Sequence, residues 1–211
     1  MNKPAEQHTA TWVFLLIGLL TVAIYIPGLS GDYMFDDTSN LLNNRALDIK
    51  SLSTDELASA TFSSRSGTLQ RPVSMLSFAL NRFFFGIAPY SHKVINLLIH
   101  LLTGCALFIF SRLLLRSYRQ YRDPQLSLAI ETWLPVVVAG LWLVHPLNLT
   151  SVLYIVQRMT SLSALFSVCG LLLYVIGRRR ILADRHGLSL ILAGLLLFGG
   201  LATLSKENGV L

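Results

Sequence analysis

Residues 12–29 form a run of 18 without a charged side chain. As a helix, a run of that length crosses a bilayer's hydrocarbon core with its backbone groups satisfied internally. Four further apolar stretches follow, at 94–115, 132–147, 152–177 and 188–204; the third is short and the fourth is interrupted by Arg158. Composition agrees. The chain is 53% hydrophobic and 13% charged, where soluble domains carry about 25% charged residues, and its mean hydropathy is +0.59. The expected fold is an all-α integral membrane protein of about five transmembrane helices. The first stretch is read as retained, because its apolar run is too long for a signal peptide and no small-residue cleavage site follows before Tyr33.

Charge distribution gives an expected orientation. Arg112, Arg116, Arg119 and Arg122 stand against Asp123 around the connection 116–131, and Arg178, Arg179, Arg180 and Arg185 against Asp184 in 178–187. Counted so, each group nets three positive charges, and the two are read as the source of the formal surplus of +6. The long segment 30–93 is neutral, with six basic and six acidic residues. The positive-inside rule then places both arginine loops and the tail 1–11 in the cytoplasm, and 30–93 and 205–211 outside. Topology accounts for the basic loops, and without interleaved aromatics they do not read as a nucleic-acid surface. Cys105 and Cys169 fall inside spans and suggest no disulfide. Asn148-Leu149-Thr150 matches a glycosylation acceptor but reads better as a turn.

With that orientation, the unusual polar residues collect on the outer side. They are Asp36 and Asp37 just beyond the first span, Arg71, His92, His145, Gln157 and Arg158 near the outer end of the fourth span, and Lys206 and Glu207 after the fifth. Charges in or beside spans are costly and usually face a bundle interior or polar cavity, so their convergence is a functional-site signal.

The segment 30–93 also carries helix signals. Ser53 and Glu56 form a capping box for a helix near 54–60. Pro72 opens a helix over 73–85, whose Ser74, Ser77 and Asn81 recur as a polar stripe, read as an amphipathic helix in the headgroup layer. Between them Ser63, Ser64, Arg65, Ser66 and Gly67 read as a flexible loop. His92, Asn96 and His100 share one stripe of the second span. Interhelical hydrogen bonding is the expected use of that stripe, and no metal site is expected.

Taken in order, Phe35-Asp36-Asp37, the run from Gln70-Arg71-Pro72 to Asn81, the run from His92 to His100, His145-Pro146-Leu147 leading to Gln157-Arg158-Met159-Thr160, and Leu204-Ser205-Lys206-Glu207-Asn208-Gly209 resemble a known family. They look like the N-terminal membrane region of bacterial relatives of the transmembrane and tetratricopeptide-repeat O-mannosyltransferases, which are GT-C glycosyltransferases. The resemblance covers 26–211. It implies a partial GT-C-like fold in a bacterial inner membrane with a periplasmic active face. It also implies a polyprenyl-phosphate sugar donor, plausible as mannose, and hydroxyls of exported protein or glycan as acceptors. By position, Asp36 or Asp37 falls at the catalytic carboxylate, and Arg71, His92, His145, Gln157, Arg158, Lys206 and Glu207 at donor or acceptor contacts.

Such chemistry needs a base for the acceptor proton and cations for the departing phosphate, roles suited to carboxylate and arginine. The resemblance includes departures. Met159-Thr160 stand where vertebrate-like members have an acidic residue, no tetratricopeptide repeat is visible, and further spans would be required. The chain is therefore expected to be part of a longer protein. Besides the membrane lipid and these substrates, no cofactor is evident. The alternative reading is a non-catalytic scaffold or lipid-linked glycan carrier that binds an anionic headgroup through Arg71 and Arg158. An ion-coupled transporter is less suited, because the charges gather at one face instead of at midplane.

Overall fold

The computed structural model describes residues 3–64 and 66–210. Met1, Asn2, Arg65 and Leu211, assigned above to the tail, the 63–67 loop and the outer end, lie outside the described residues. The described residues form α-helices α1 Lys3–Leu29, α2 Thr54–Thr61, α3 Pro72–Phe85, α4 Pro89–Tyr121, α5 Leu128–Val144, α6 Leu149–Leu153, α7 Arg158–Ile181, α8 Leu188–Leu192 and α9 Gly199–Ser205, joined by short turns, loops and single-turn helices. Four segments are long and apolar enough to span a membrane: Ala5–Leu29, Pro89–Tyr121, Ile155–Ile181 and Leu188–Ser205. A fifth arises if Leu128–Val144 and Pro146–Leu153, bent by 48°, count as one. The chain is an all-α integral membrane protein.

Several helices run past the apolar stretches that mark them. α1 already begins at Lys3, so most of the region read as a tail is helical. α4 has 33 residues, about 50 Å at 1.5 Å per residue, and overshoots a 30 Å hydrocarbon core. The break after α5 has a local cause. Pro146 forces the preceding residue out of the helical region, and His145 sits at φ −66°, ψ 128°.

The bundle has two polar ends. At one, Gln7 Oε1 of α1 accepts hydrogen bonds from Arg112 (3.2 Å) and Arg116 (3.1 Å) of α4. Arg119 of α4 pairs with Glu131 of α5 at 2.8 Å, and Arg179 of α7 donates to Leu113 O and Ser117 Oγ of α4. Glu131, left out of the charge count above, belongs to this arginine end and lowers the net charge of the first group to two. Between the ends the helices pack through Phe14 stacked on Phe108, with centroids 4.3 Å apart, and Val136, Ala139 and Leu143 around them. α7 meets the last span at close range: a Cβ added to Gly170 would lie 2.8 Å from Gly194 O, so only glycine permits this approach.

The other end, acidic at its Asp36-Asp37 pair although 30–93 is neutral overall, is capped by 30–64 and 66–88, a packed layer with a core of its own. Leu41, Leu47, Ala60, Met75, Phe78 and Ala79 are buried against Ile155, Val156 and Met159 at the start of α7. Ser53 Oγ caps α2 by accepting from Glu56 N at 3.4 Å. The return half of the expected capping box is absent, because the Glu56 carboxylate instead accepts from the Lys50 and Ser51 amides.

α3 corrects the expected amphipathic surface helix. Its polar stripe faces inward: Ser74 and Asn81 are buried, while Phe84 and Phe85 are each 62% exposed. The reason is Arg158, which is 0% exposed. Its Nε donates to Asn96 Oδ1 (2.7 Å) on α4. One terminal nitrogen donates to Ser77 O (3.2 Å), and the other to Asn81 Oδ1 (2.7 Å) and His92 O (2.9 Å). The guanidinium carbon sits 4.6 Å from the Phe78 ring centroid, a cation–π contact. Of the stripe, Asn81 gives its side chain and Ser77 its backbone carbonyl to the buried cation, while Ser74 Oγ donates to Ser205 O at 2.8 Å.

Removing that cation strands several buried acceptors, each costing about 1–3 kcal/mol. Arg158→Ala is expected to lower stability by about 3 kcal/mol or more. Arg158→Lys, which keeps the charge but not the fork, should recover only part of it. Thermal unfolding of purified variants in detergent checks both; an unchanged Tm in Arg158→Ala would refute this role.

Candidate functional site

Adjacent carboxylates at the acidic end meet opposite environments. Asp37 is 0% exposed. Its oxygens accept from Met34 N (3.1 Å), Ile155 N (3.4 Å) and Val156 N (2.7 Å). Two of these amides belong to the turn Ile155–Gln157 that opens α7, so Asp37 fastens the first loop to that helix. Burial pushes its pKa above the usual carboxylate value, while the three amide hydrogen bonds and the Lys93 charge pull the other way. Asp36 is exposed, and its backbone amide donates to the Tyr154 hydroxyl oxygen at 3.1 Å. The carboxylate of Asp36 lies beside that hydroxyl, whose pKa is raised first by burial. Phe35, just before the pair, has φ 43°, a left-handed conformation unusual for an aromatic residue.

On the other side of the same turn, Gln157 Oε1 accepts from Thr160 Oγ1 at 2.7 Å, and Thr160 Oγ1 accepts from Lys206 Nζ at 2.8 Å. Burial, then the Arg71 charge, lowers the Lys206 pKa below the usual amine value. Arg71 Nε pairs with Glu207 at 2.9 Å, and both side chains remain partly exposed. Burial works to raise the Glu207 pKa, but its backbone amide and Arg71 outweigh it and hold it low. Gln70 (φ 58°) and Arg71 (φ 48°) are both left-handed, conformations that cost about 1–3 kcal/mol each and cluster at ligand sites. Gly67 (φ 78°) is a packing requirement more than a hinge, since an added Cβ would collide with the Glu207 carboxylate.

Asp36, Gln157, Lys206, Glu207 and Arg71 therefore surround the entry to α7. Three other candidates do not join them as surface groups. Arg158 is enclosed as described, and its donors are engaged by the protein. His92 is buried, with Nδ1 3.4 Å from Arg158. His145 is exposed, but its Nδ1 accepts from Leu147 N at 3.2 Å and caps the turn at the α5–α6 break. The rest of the histidine stripe serves packing: His100 Nε2 meets Leu143 O at 2.9 Å and the ring stacks on Trp142, while Asn96 also donates to Val152 O and Ile155 O.

Two residues went unnoticed in the sequence. Lys93 is buried, with Nζ 3.2 Å from Asp32 O, and its charge acts on Asp37. Tyr154 holds Asp36. The adjacency of Lys93 to His92 and of Tyr154 to the Gln157-Arg158 pair was the available signal. Beside Asp36, whose carbonyl accepts from Ser39 Oγ and Asn40 Nδ2, lies a cleft of about 460 Å³ lined by Ser39, Asn40, Asn43, Asn44, Arg45 and Ser63.

These features define an integral membrane protein with a polar site at one end of its helical bundle. No family model matches this chain, and no solved structure does. Curated relatives do. Human protein O-mannosyl-transferase TMTC4 is 27% identical over 98% of this chain and 29% of its own length. Caenorhabditis elegans protein O-mannosyl-transferase F38B6.6 is 26% identical over 100% and 28%, and Drosophila melanogaster Tmtc1 is 29% identical over 90% and 20%. The chain is thus related to the TMTC protein O-mannosyl-transferases, and it spans less than a third of the length of these relatives.

A raised Asp37 pKa has a defined pH signature. The folded state holds the Asp37 proton more tightly than the unfolded chain, so this contribution to stability is full below about pH 3.8 and is lost as pH rises through the folded pKa. The Tm advantage of wild type over Asp37→Asn should therefore be larger at pH 4 than at pH 7. Paired melting curves at the two pH values check it; an advantage that grows with pH would contradict the assignment.

Proposed function

We propose that this chain forms part of a membrane glycosyltransferase of GT-C type. It moves mannose from a polyprenyl-phosphate donor to hydroxyl groups of exported protein or glycan, and Asp36 acts as the base. One observation carries the reading: of two adjacent aspartates, Asp37 is enclosed by backbone amides while Asp36 stands exposed on the same rigid turn. The O-mannosyl-transferase names of the relatives favour a protein hydroxyl as acceptor.

In this scheme the Asp36 carboxylate takes the proton of the acceptor hydroxyl, whose oxygen forms a bond to the sugar's anomeric carbon. The bond from that carbon to the phosphate oxygen breaks, and the polyprenyl phosphate leaves with the electron pair. Negative charge on the leaving phosphate calls for cations. Arg71, oriented by Glu207, and Lys206, oriented by Thr160 and Gln157, supply them from the far side of the α7 entry. The arginine end then faces the cytoplasm of a bacterial inner membrane and the acidic end faces the periplasm. The carrier alternative needs Arg158 at the surface as an anion ligand, and its full burial does not favour it.

In a deletion strain complemented with the intact gene, Asp36→Asn is expected to lower mannosylation of exported proteins about 100-fold or more at unchanged membrane level, read by mass spectrometry. Wild-type modification in that variant would end the proposal. Arg71→Gln or Lys206→Gln should lower transfer without removing the protein from the membrane, and wild-type transfer in both would remove the cation roles.

A further inference from the structure

The end opposite this site holds two adjoining clefts that share Arg179, with volumes of about 420 and 260 Å³. The larger is polar, and its Arg116 and Arg119 are already paired with Glu131. The smaller differs in kind. Leu113, Ile176 and Ala183 line it together with Arg179, Arg180 and Arg185. Arg179 is held in place by Leu113 O and Ser117 Oγ. Arg180 and Arg185 are exposed and make no side-chain ion pair or hydrogen bond among the described residues. The cleft lies between α4 at Leu113 and the last turns of α7 with the connection that follows it, at one end of two helices long and apolar enough to span a membrane, and the ends of such helices are where lipid phosphates are met.

A lining that joins apolar side chains to three guanidinium groups at the end of membrane-spanning helices matches one ligand chemistry. We infer that this cleft binds the headgroup of an anionic phospholipid, its phosphate on Arg180 and Arg185 and its upper acyl chain against Leu113 and Ile176. A general positive-inside bias would need only net charge near the membrane. This site needs particular arginines, so exchanging the same charge elsewhere on that end leaves it intact. Arg122 and Arg178 are exposed there, and neither lines the cleft.

The test is a thermal-shift assay on the purified chain in detergent, with added dioleoylphosphatidylglycerol, dioleoylphosphatidylcholine or inorganic phosphate. Phosphatidylglycerol should raise the wild-type Tm by about 4 °C at tenfold saturation, and the other two should not. The shift should disappear in Arg180→Gln/Arg185→Gln and persist in Arg122→Gln/Arg178→Gln, with lipid-free Tm values used to confirm that both variants are folded. Equal shifts from both lipids, a shift from inorganic phosphate alone, equal loss in both double variants or no wild-type shift would each overturn the inference. If Arg180→Gln/Arg185→Gln does not fold, the wild-type comparison of the three additives still decides it.

Discussion

A fully buried guanidinium with no carboxylate partner among the described residues organises this protein. Taking an arginine out of water is among the most costly steps in folding, and it is tolerated only when every donor finds an acceptor. Arg158 comes close to that condition, each of its three nitrogens donating to a neutral group: two asparagine side chains and two backbone carbonyls take four hydrogen bonds, and an aromatic face lies against the guanidinium. Those acceptors come from α3 and α4, while the arginine itself begins α7. The three helices can satisfy it together only in one mutual register, so one side chain fixes the placement of the capping layer over the bundle.

That dependence extends to the candidate site. The first residues of α7 and the turn before it receive Asp37 from one side and Lys206 from the other. Arg158 anchors the same turn from within. The exposed groups are therefore carried on a platform whose stiffness comes from buried hydrogen bonds, the arrangement by which a site keeps its geometry without a rigid loop.

The membrane class and the helical stretches were legible in the sequence, because hydrophobic length is a strong and local signal. Ser53 was legible as a cap for the same reason. Less legible was the direction in which polar residues point. Ser74, Ser77 and Asn81 recur at helical spacing whether the stripe faces water or the protein interior, and the choice is made by partners far along the chain, Arg158 for Asn81 and Ser205 for Ser74. Arg158 and His92, candidates for donor or acceptor contact by position, are both enclosed by the protein; a polar residue near a span end reads identically whether it is enclosed or open to a ligand. Nor could spacing separate Asp36 from Asp37, because their environments differ through contacts with Tyr154, Ile155 and Val156, more than a hundred residues away in the chain. Glu131 was overlooked beside its arginines because it starts a span; its pairing is visible only once α4 and α5 lie together.

The immediate succession of Asp36 and Asp37 has a mechanical consequence. The amide of Asp36 is tied to Tyr154 and the carboxylate of Asp37 to the next two residues along, so the backbone that carries the exposed carboxylate is fastened to the mouth of α7 at two adjacent points. Thermal displacement of that helix carries the acid with it. Their relative position is thereby insulated from the breathing of the surrounding cap.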